Sequence, residues 1–279
     1  MFYIIIIFIL SSLYIFKETI NYIWFKEVIS TANKGIVINF HFLRECNYKC
    51  KFCFHTNKDR HVETLERIKK GLSNLKSYMK EDIDRVNFSG GEPFLKQKLL
   101  GEMCKFCHNE LRIKTSIVSN GSKITEKWFH NYGKYLDILA ISCDSFEPDT
   151  LKKIGRYEKK TDHIQQLKQI RRLCYKYNII FKINTVVCSV NKDEIMVNEI
   201  NSLKPKRWKV FQCLLIHGEN TGDGDIRDAR EMVVSKDEFE TFIKHNHTDC
   251  IVPENNDAMR NSYYILDEKL RFLNNQNGK

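Results

Sequence analysis

The stretch "CNYKCKFCFH", residues 46–55, decides how this chain is read. It sets Cys46, Cys50 and Cys53 at a C-x3-C-x2-C spacing, with a histidine two residues after the third. Three chemistries use thiols gathered in this way. A structural zinc site with His55 as fourth ligand is one, although zinc usually takes two knuckles separated by a loop, and four ligands here would crowd into ten residues. Disulfides are the second. An iron–sulfur cluster is the third: three thiolates leave one iron of a 4Fe–4S cube open to a substrate or cofactor.

Composition bears on the choice. The chain has 279 residues, 42% of them hydrophobic, enough to bury a core without covalent staples. Its other seven cysteines, Cys104, Cys107, Cys143, Cys174, Cys188, Cys213 and Cys250, are scattered, several within apolar runs where a thiol serves as a small hydrophobe. This reads as a reducing compartment, against disulfides. Cys104 and Cys107 are an i, i+3 pair on an expected helix, which fits core packing better than a second cluster. The formal charge of +10 suggests an anionic partner: nucleic acid, a phosphorylated small molecule or an acidic membrane face. No block of five Lys or Arg and no RNA-binding aromatic signature is present, so direct nucleic-acid binding is not expected. A generally basic solvated surface accounts for much of the same charge.

Met1 to Phe16 carry no charged side chain, and no basic region or cleavage site marks a secretory signal. Sixteen helical residues span roughly 24 Å, marginal for a bilayer core. The pattern continues in amphipathic form, with Leu13, Phe16, Ile20, Ile23 and Trp24 on one stripe. Residues 1–30 are therefore expected to anchor the chain to a membrane surface, as a short span or an interfacial helix. Lys17, Lys26 and Lys34 follow the run and none precedes it, which leaves the remainder cytosolic if it spans.

From residue 35 onward short apolar runs alternate with amphipathic ones. Strands are expected at 36–42, 84–88, 113–119, 136–142, 179–187 and 206–214. Helices are expected at 61–80, 96–110, 123–133, 161–177 and 191–203. Segment 218–235 reads as a polar loop running into a short helix, and 262–266 as a late strand. The alternation predicts a parallel α/β sheet with right-handed crossovers, either a partial barrel or an open doubly wound sheet. Polar residues recur two apart within the strands: Asn39 and His41, Asn87 and Ser89, Lys182 and Asn184, Arg207 and Lys209. Such pairs share a face. A filled barrel would carry branched aliphatics there, so this face is expected to line a ligand cavity. The cysteine loop follows the first strand, at the carboxyl end of the sheet where α/β active sites lie.

With Phe52 before its last cysteine, the loop resembles the signature of radical S-adenosylmethionine enzymes. Ser89-Gly90-Gly91-Glu92-Pro93 after the second strand resembles that family's second motif. The resemblance implies a partial (β/α)6 barrel over residues 35–279, preceded by the N-terminal apolar/amphipathic helix. It implies that Cys46, Cys50 and Cys53 hold a 4Fe–4S cluster whose open iron binds S-adenosylmethionine. Ser89, Gly90, Gly91, Glu92 and Pro93, with Ser119, Asn120 and Ser142, then meet that cofactor, Glu92 as acceptor for its ammonium.

"NFHFLRECNYKCKFCFHT", "VNFSGGEPFL", "SIVSNGS", "YLDILAISCDSF", "RWKVFQCLLIHGEN", "VPENN" and "SYYILDEKLRFLN" further resemble the viperin-like antiviral branch, from about Asn39 to Asn274. That branch dehydrates a nucleoside triphosphate, usually CTP, by abstracting the ribose 4′ hydrogen and losing the 3′ hydroxyl. The 3′-deoxy-3′,4′-didehydro product terminates viral RNA chains. By resemblance, Asn39, His41, Asn87, Arg156, Lys182, Arg207 and Lys209 bind the substrate, CTP or UTP, and Tyr263 returns a hydrogen atom to the substrate radical. An electron-donating reductase and the iron–sulfur assembly machinery are the implied partners. The cytosolic face of the endoplasmic reticulum, or lipid droplets, is the implied location. The branch continues past "RFLN" into a segment ending in tryptophan; this chain stops at Lys279, which reads as a truncated C-terminal segment. A radical enzyme acting on a peptide or sugar nucleotide, and a membrane-anchored scaffold without turnover, are the competing expectations.

Overall fold

A computed structural model describes residues 35–55, 60–79, 83–158, 162–222, 224–259 and 263–273. The expected anchor, residues 1–30, lies outside the described residues. Among the described residues no helix is long and apolar enough to cross a membrane.

The elements in chain order are β1 (Ile36–His41), α1 (Leu65–Tyr78), β2 (Ile83–Ser89), α2 (Gln97–Phe106), β3 (Lys114–Ser119), α3 (Glu126–Tyr132), β4 (Ile138–Ser142), α4 (Pro148–Ile154), α5 (His163–Lys176), β5 (Ile180–Val187), α6 (Val197–Leu203), β6 (Arg207–Gln212), α7 (Lys236–His245), β7 (Ile251–Glu254), α8 (Asn256–Met259), β8 (Tyr264–Leu266) and β9 (Phe272–Leu273). The sheet runs β7-β6-β5-β4-β3-β2-β1-β8-β9. Every pairing is parallel except β8 with β9. Because β1 to β6 lie side by side in chain order, with no reversal, the sheet is wound one way round. A doubly wound sheet would switch direction from a central strand, so the partial-barrel expectation holds.

Local chemistry explains the helix boundaries. The Thr64 side chain caps α1 by accepting from Arg67 N, and Asp162 caps α5 by accepting from Ile164 N and Gln165 N. Three helices went unforeseen in the sequence, the four-residue α8 among them. Pro148 opens α4 and Gly155 closes it at φ +88°. The third, α7, begins at a capping box of Ser235 and Glu238 and buries Phe239 and Phe242 against the sheet.

Burial alternates along the strands. In β5, Phe181, Ile183, Thr185 and Val187 are buried, and the residues between them are not. In β6, Trp208, Val210 and Gln212 are buried likewise. One face of the sheet therefore packs on the helices and holds the core, where Phe40, Phe88, Ile117, Leu139, Ile183 and Trp208 meet Leu72, Leu100, Phe129, Ile170 and Phe242. Cys104 and Cys107 are fully buried in that core, as packing residues. The other face carries the polar residues. Register sets Asn39 beside Asn87 and Asn87 beside Ser116. It sets Lys182 beside Arg207, and Asn184 beside Lys209.

Candidate active site at the cysteine loop

Four segments grip the cysteine loop. Gly91 N donates to Leu43 O and Glu92 N to Glu45 O, each at 2.8 Å. A Cβ on Gly90 (φ +131°) would stand 2.2 Å from Leu43 O, and one on Gly91 would stand 1.9 Å from Glu45 O. These glycines are thus required by the backbone that launches the cysteines, and not only by a ligand. On the far side Lys49 N donates to Gly155 O at 3.1 Å and Lys51 N to Ile154 O at 2.9 Å, docking the end of α4. Asn220, fully buried, donates to Phe52 O at 3.0 Å and Leu214 O at 2.9 Å. Arg44 bridges Glu219 and Glu268, each at 3.0 Å. A small apolar cluster of Tyr48, Cys50, Phe52, Ile154, Cys188, Cys213 and Met232 lies under the loop.

All three thiols are free. Burial pushes Cys46 up to about 11 and Cys50 up to about 12, and raises Cys53 as well. As thiolates Cys53 would further raise Cys46 and Cys50, and Cys46 would raise Cys50, so a positive group is needed to hold them ionised together. Tyr48 N points at Cys46 Sγ at 3.4 Å, and Asn120 Nδ2 lies 3.9 Å from the same sulfur. His55 does not complete a zinc site: its ring packs edge-on against His41, with centroids 4.1 Å apart. Among the described residues no three His, Cys, Asp or Glu side chains are grouped to share one metal ion. Three neighbouring thiols carried on one loop fit the ligand set of a 4Fe–4S cluster with one open iron.

The motif after β2 is a brace. Glu92 is fully buried. Its Oε1 accepts from Phe94 N at 3.0 Å and from Ser119 Oγ at 2.7 Å, and its Oε2 accepts from Asn120 N at 2.7 Å. Burial raises its pKa against these three donors. Glu92 was expected to receive a cofactor ammonium; in the fold its carboxylate ties the turn after β2 to the turn after β3. Ser119 is committed to the same brace. Asn120 Nδ2 donates to Asn47 Oδ1 at 3.0 Å, so this turn also orients the cysteine loop. Pro93 opens the 3-10 turn that follows. Ser142 ends β4, half-buried.

Arg156 was expected among substrate-binding cations. It is buried in a pair with Asp144, whose other oxygen accepts from Val186 N at 2.9 Å. Burial works against its charge, and Asp144 and the Cys50 sulfur favour it. The fold thus sets this guanidinium beside the cysteines, where it lowers the thiols of Cys46 and Cys50 in opposition to burial.

The remaining candidates share the polar face. Ser116 Oγ donates to Asn87 Oδ1 at 2.5 Å, and Asn87 Nδ2 to Asn39 Oδ1 at 2.8 Å, a relay across three strands. Asn39 Nδ2, His41 Nδ1, His55 Nε2 and Ser89 Oγ are buried with no protein partner. An orphaned buried donor costs about 1–3 kcal/mol, so four near one loop fit a polar ligand. Burial, then Arg207, Arg85 and Lys209, push Lys182 down to about 8. Arg85 was missed in the sequence, although it stands two before Asn87 and so on the same face. Lys209 is also lowered by burial, against an ion pair with Glu254 at 2.5 Å. Its Nζ donates to the Tyr263 hydroxyl at 2.9 Å. Glu254, Asn220 and Arg44 lie in stretches that carry the family resemblance but were given no role from sequence, since their roles depend on partners remote in the chain or on another strand.

Residues 40–197 match the Radical SAM superfamily. The chain is 51% identical over 258 residues to the S-adenosylmethionine-dependent nucleotide dehydratase RSAD2 of Siniperca chuatsi, covering 91% of this chain and 72% of that protein. It is 49% identical over 259 residues to the protein of the same name from Oncorhynchus mykiss, covering 91% and 74%. A bacterial S-adenosylmethionine-dependent nucleotide dehydratase from Flammeovirga pacifica is 34% identical over 260 residues, covering 91% and 87%. Among solved structures, Streptococcus suis SuiB bound to S-adenosylmethionine superposes with a TM-score of 0.63 at 16% identity, over 86% of this chain and 60% of that one. Methylornithine synthase gives 0.58 at 14% identity, over 90% and 77%. At these identities the superpositions establish the fold alone.

Proposed function

The chain belongs to the Radical SAM superfamily, and we propose from that premise that it dehydrates a nucleoside triphosphate, CTP in preference to UTP. The names of its relatives support a nucleotide dehydratase. The observation that carries the triphosphate is the set of cations on the polar face. Lys182 stands beside Arg207 in register, with Arg85 and Lys209 near enough to depress its pKa. Lys182 and Arg85 are half-buried and Arg207 exposed, with Lys209 paired to a carboxylate, and cations that repel one another at this range favour a counter-anion. A triphosphate supplies that charge, and guanidinium and ammonium groups suit its oxygens.

Cys46, Cys50 and Cys53 would hold a 4Fe–4S cluster, which with S-adenosylmethionine supplies, when bound, a 5′-deoxyadenosyl radical able to abstract the ribose 4′ hydrogen. The chain's own residues do the rest. The Gly90-Gly91 turn and the end of α4 fix the loop that carries the thiols. Glu92 holds the turns after β2 and β3 in one arrangement. Asn39, His41 and Ser89 offer polar atoms to the cofactor or the ribose. Loss of the 3′ hydroxyl then gives the 3′-deoxy-3′,4′-didehydro nucleotide, an antiviral chain terminator. The uncharged run from Met1 to Phe16 supports attachment through residues 1–30 to the endoplasmic reticulum or lipid droplets, with the catalytic part cytosolic. A one-electron reductase and the iron–sulfur assembly machinery complete the proposal as partners.

The test is an anaerobic assay of the iron- and sulfide-reconstituted full chain with S-adenosylmethionine, dithionite and each nucleoside triphosphate in turn. One nucleotide should stimulate 5′-deoxyadenosine formation and become lighter by one water. Cleavage that no nucleotide stimulates would move the substrate to a peptide or a sugar nucleotide. A chain that binds zinc or no metal would instead be the scaffold.

A further inference from the structure

Lys209, Glu254 and Tyr263 form a closed triangle of contacts. They come from β6, β7 and the residue before β8. In the sheet β7 lies at one end of the strand order, while β8 lies beyond β1 at the other. The triangle therefore spans the opening of the partial barrel. The Lys209 ammonium donates to the Tyr263 oxygen at 2.9 Å and lies 2.5 Å from Glu254 Oε1. The Tyr263 hydroxyl donates to Glu254 Oε2. Lys209 and Glu254 side chains are only 21% and 19% exposed.

This geometry fixes where the phenolic hydrogen points. An ammonium has donors and no acceptor, so Lys209 can only occupy the phenolic oxygen. The hydrogen is aimed at the carboxylate. A phenol that loses an electron becomes a strong acid, and its proton moves to the base already bonded to it.

We propose that Glu254 is the proton acceptor for Tyr263 in the last step of the dehydration, so that the electron goes to the nucleotide and the proton to the carboxylate. The inference rests on the nucleotide-dehydratase reading. After hydrogen abstraction the nucleotide carries an unpaired electron at C4′. The C3′–O bond breaks with its electron pair on the leaving hydroxide, which takes a proton from solvent to become water. The remaining radical cation over C3′ and C4′ accepts one electron from Tyr263 and closes the double bond. Tyr263 becomes a neutral tyrosyl radical as Glu254 takes its proton. A one-electron donor protein then reduces the tyrosyl, and Glu254 returns the proton. The net cost of this half of the cycle is one electron and one solvent proton. Glu254 acts through Tyr263 and is a positioning residue and proton store; Lys209 holds its other oxygen at 2.5 Å.

Glu254→Gln keeps the shape and an acceptor oxygen but removes the base. The reconstituted full chain is assayed for dehydrated nucleotide formed per 5′-deoxyadenosine, and freeze-quenched samples are read by electron paramagnetic resonance for a tyrosyl signal. Loss of a positioned base typically costs 10² to 10⁴ in rate. The ratio should fall about tenfold or more in Glu254→Gln, with nucleotide-stimulated 5′-deoxyadenosine retained and the tyrosyl signal diminished. Glu254→Asp should recover part of the ratio. An unchanged ratio in Glu254→Gln overturns the step while leaving the dehydratase reading intact. A wild type that forms no dehydrated nucleotide overturns that reading and this step with it. The contact is also read without turnover, by ultraviolet titration of wild type against Tyr263→Phe. A Tyr263 phenol that ionises at its ordinary pKa of about 10 is not held by Glu254 and overturns the proposal even if the Glu254→Gln chain is unstable.

Discussion

Ser119 Oγ donates to Glu92 Oε1 at 2.7 Å, with both side chains buried at the carboxyl ends of the neighbouring strands β3 and β2. This contact, with Asn120 N on Oε2, makes Glu92 a fastener between the turns after β2 and β3. Glu92→Gln sets an amide NH2 against one of three donors. Leaving a buried donor unsatisfied costs about 1–3 kcal/mol. Urea unfolding should show a loss of that size, and Glu92→Asp, too short to reach both turns, should do no better. A stability equal to wild type in both variants would remove the fastener role.

Gly91 admits no side chain, since a Cβ there would stand 1.9 Å from Glu45 O. Gly91→Ala must push the turn off the backbone that leads to Cys46. Overpacking of this kind costs about 1–3 kcal/mol. Iron bound per chain after anaerobic reconstitution should fall with it, although all three cysteines remain. Full iron content would show that the cysteine loop holds its shape without this stitch.

Lys182, lowered to about 8 by burial and by Arg207, Arg85 and Lys209, is partly neutral in the free protein near that pH. A bound anion favours the charged form and raises the pKa. Triphosphate binding at pH 8 to 9 should therefore take up a proton, and affinity should weaken as pH rises through this range. Calorimetry in two buffers of different ionisation enthalpy measures the uptake directly. Lys182→Met should abolish it and weaken binding about tenfold or more, which corresponds to about 1.4 kcal/mol.

His163, at the start of α5, is held down to about 4 by burial and then by Arg156. The unfolded chain takes up this proton near pH 6.5 and the folded chain does not. Its contribution is complete above pH 6.5 and is lost as the pH falls toward 4. Urea unfolding between pH 7 and pH 5 should show stability falling with acid. His163→Leu should make that slope shallower by up to one proton. A slope identical to wild type would place the acid sensitivity on other groups, of which His41, also held down to about 4, is the first to examine.

The first six strands and their polar face were legible because both depend on residues close in the chain, while β7 and β9 were not foreseen. Alternation along "FKINTVV" and "RWKVFQ" reports which side of a strand each residue takes, whatever the strand pairs with. The cysteine spacing and the Gly90-Gly91 pair are likewise local, and each landed in a loop at the carboxyl end of the sheet. α4 was missed although Pro148 and Gly155 marked its ends.

What the tertiary structure alone decided is which partner each polar group meets. Periodicity assigns a residue to a face but not to a neighbour. The direction of winding, open or barrel-like, follows from strand order, which no single strand encodes. Glu92 braces two turns, because the turn after β3 brings two donors to it from 27 and 28 residues away. Arg156 joined Asp144 beside the cysteines. Lys209 met Glu254 and Tyr263 only because the chain crosses from one edge of the sheet to the other. Hydrogen bonds and ion pairs act over a few ångströms, so the chemistry of a side chain is fixed by its nearest atoms, and folding chooses those from anywhere in the sequence.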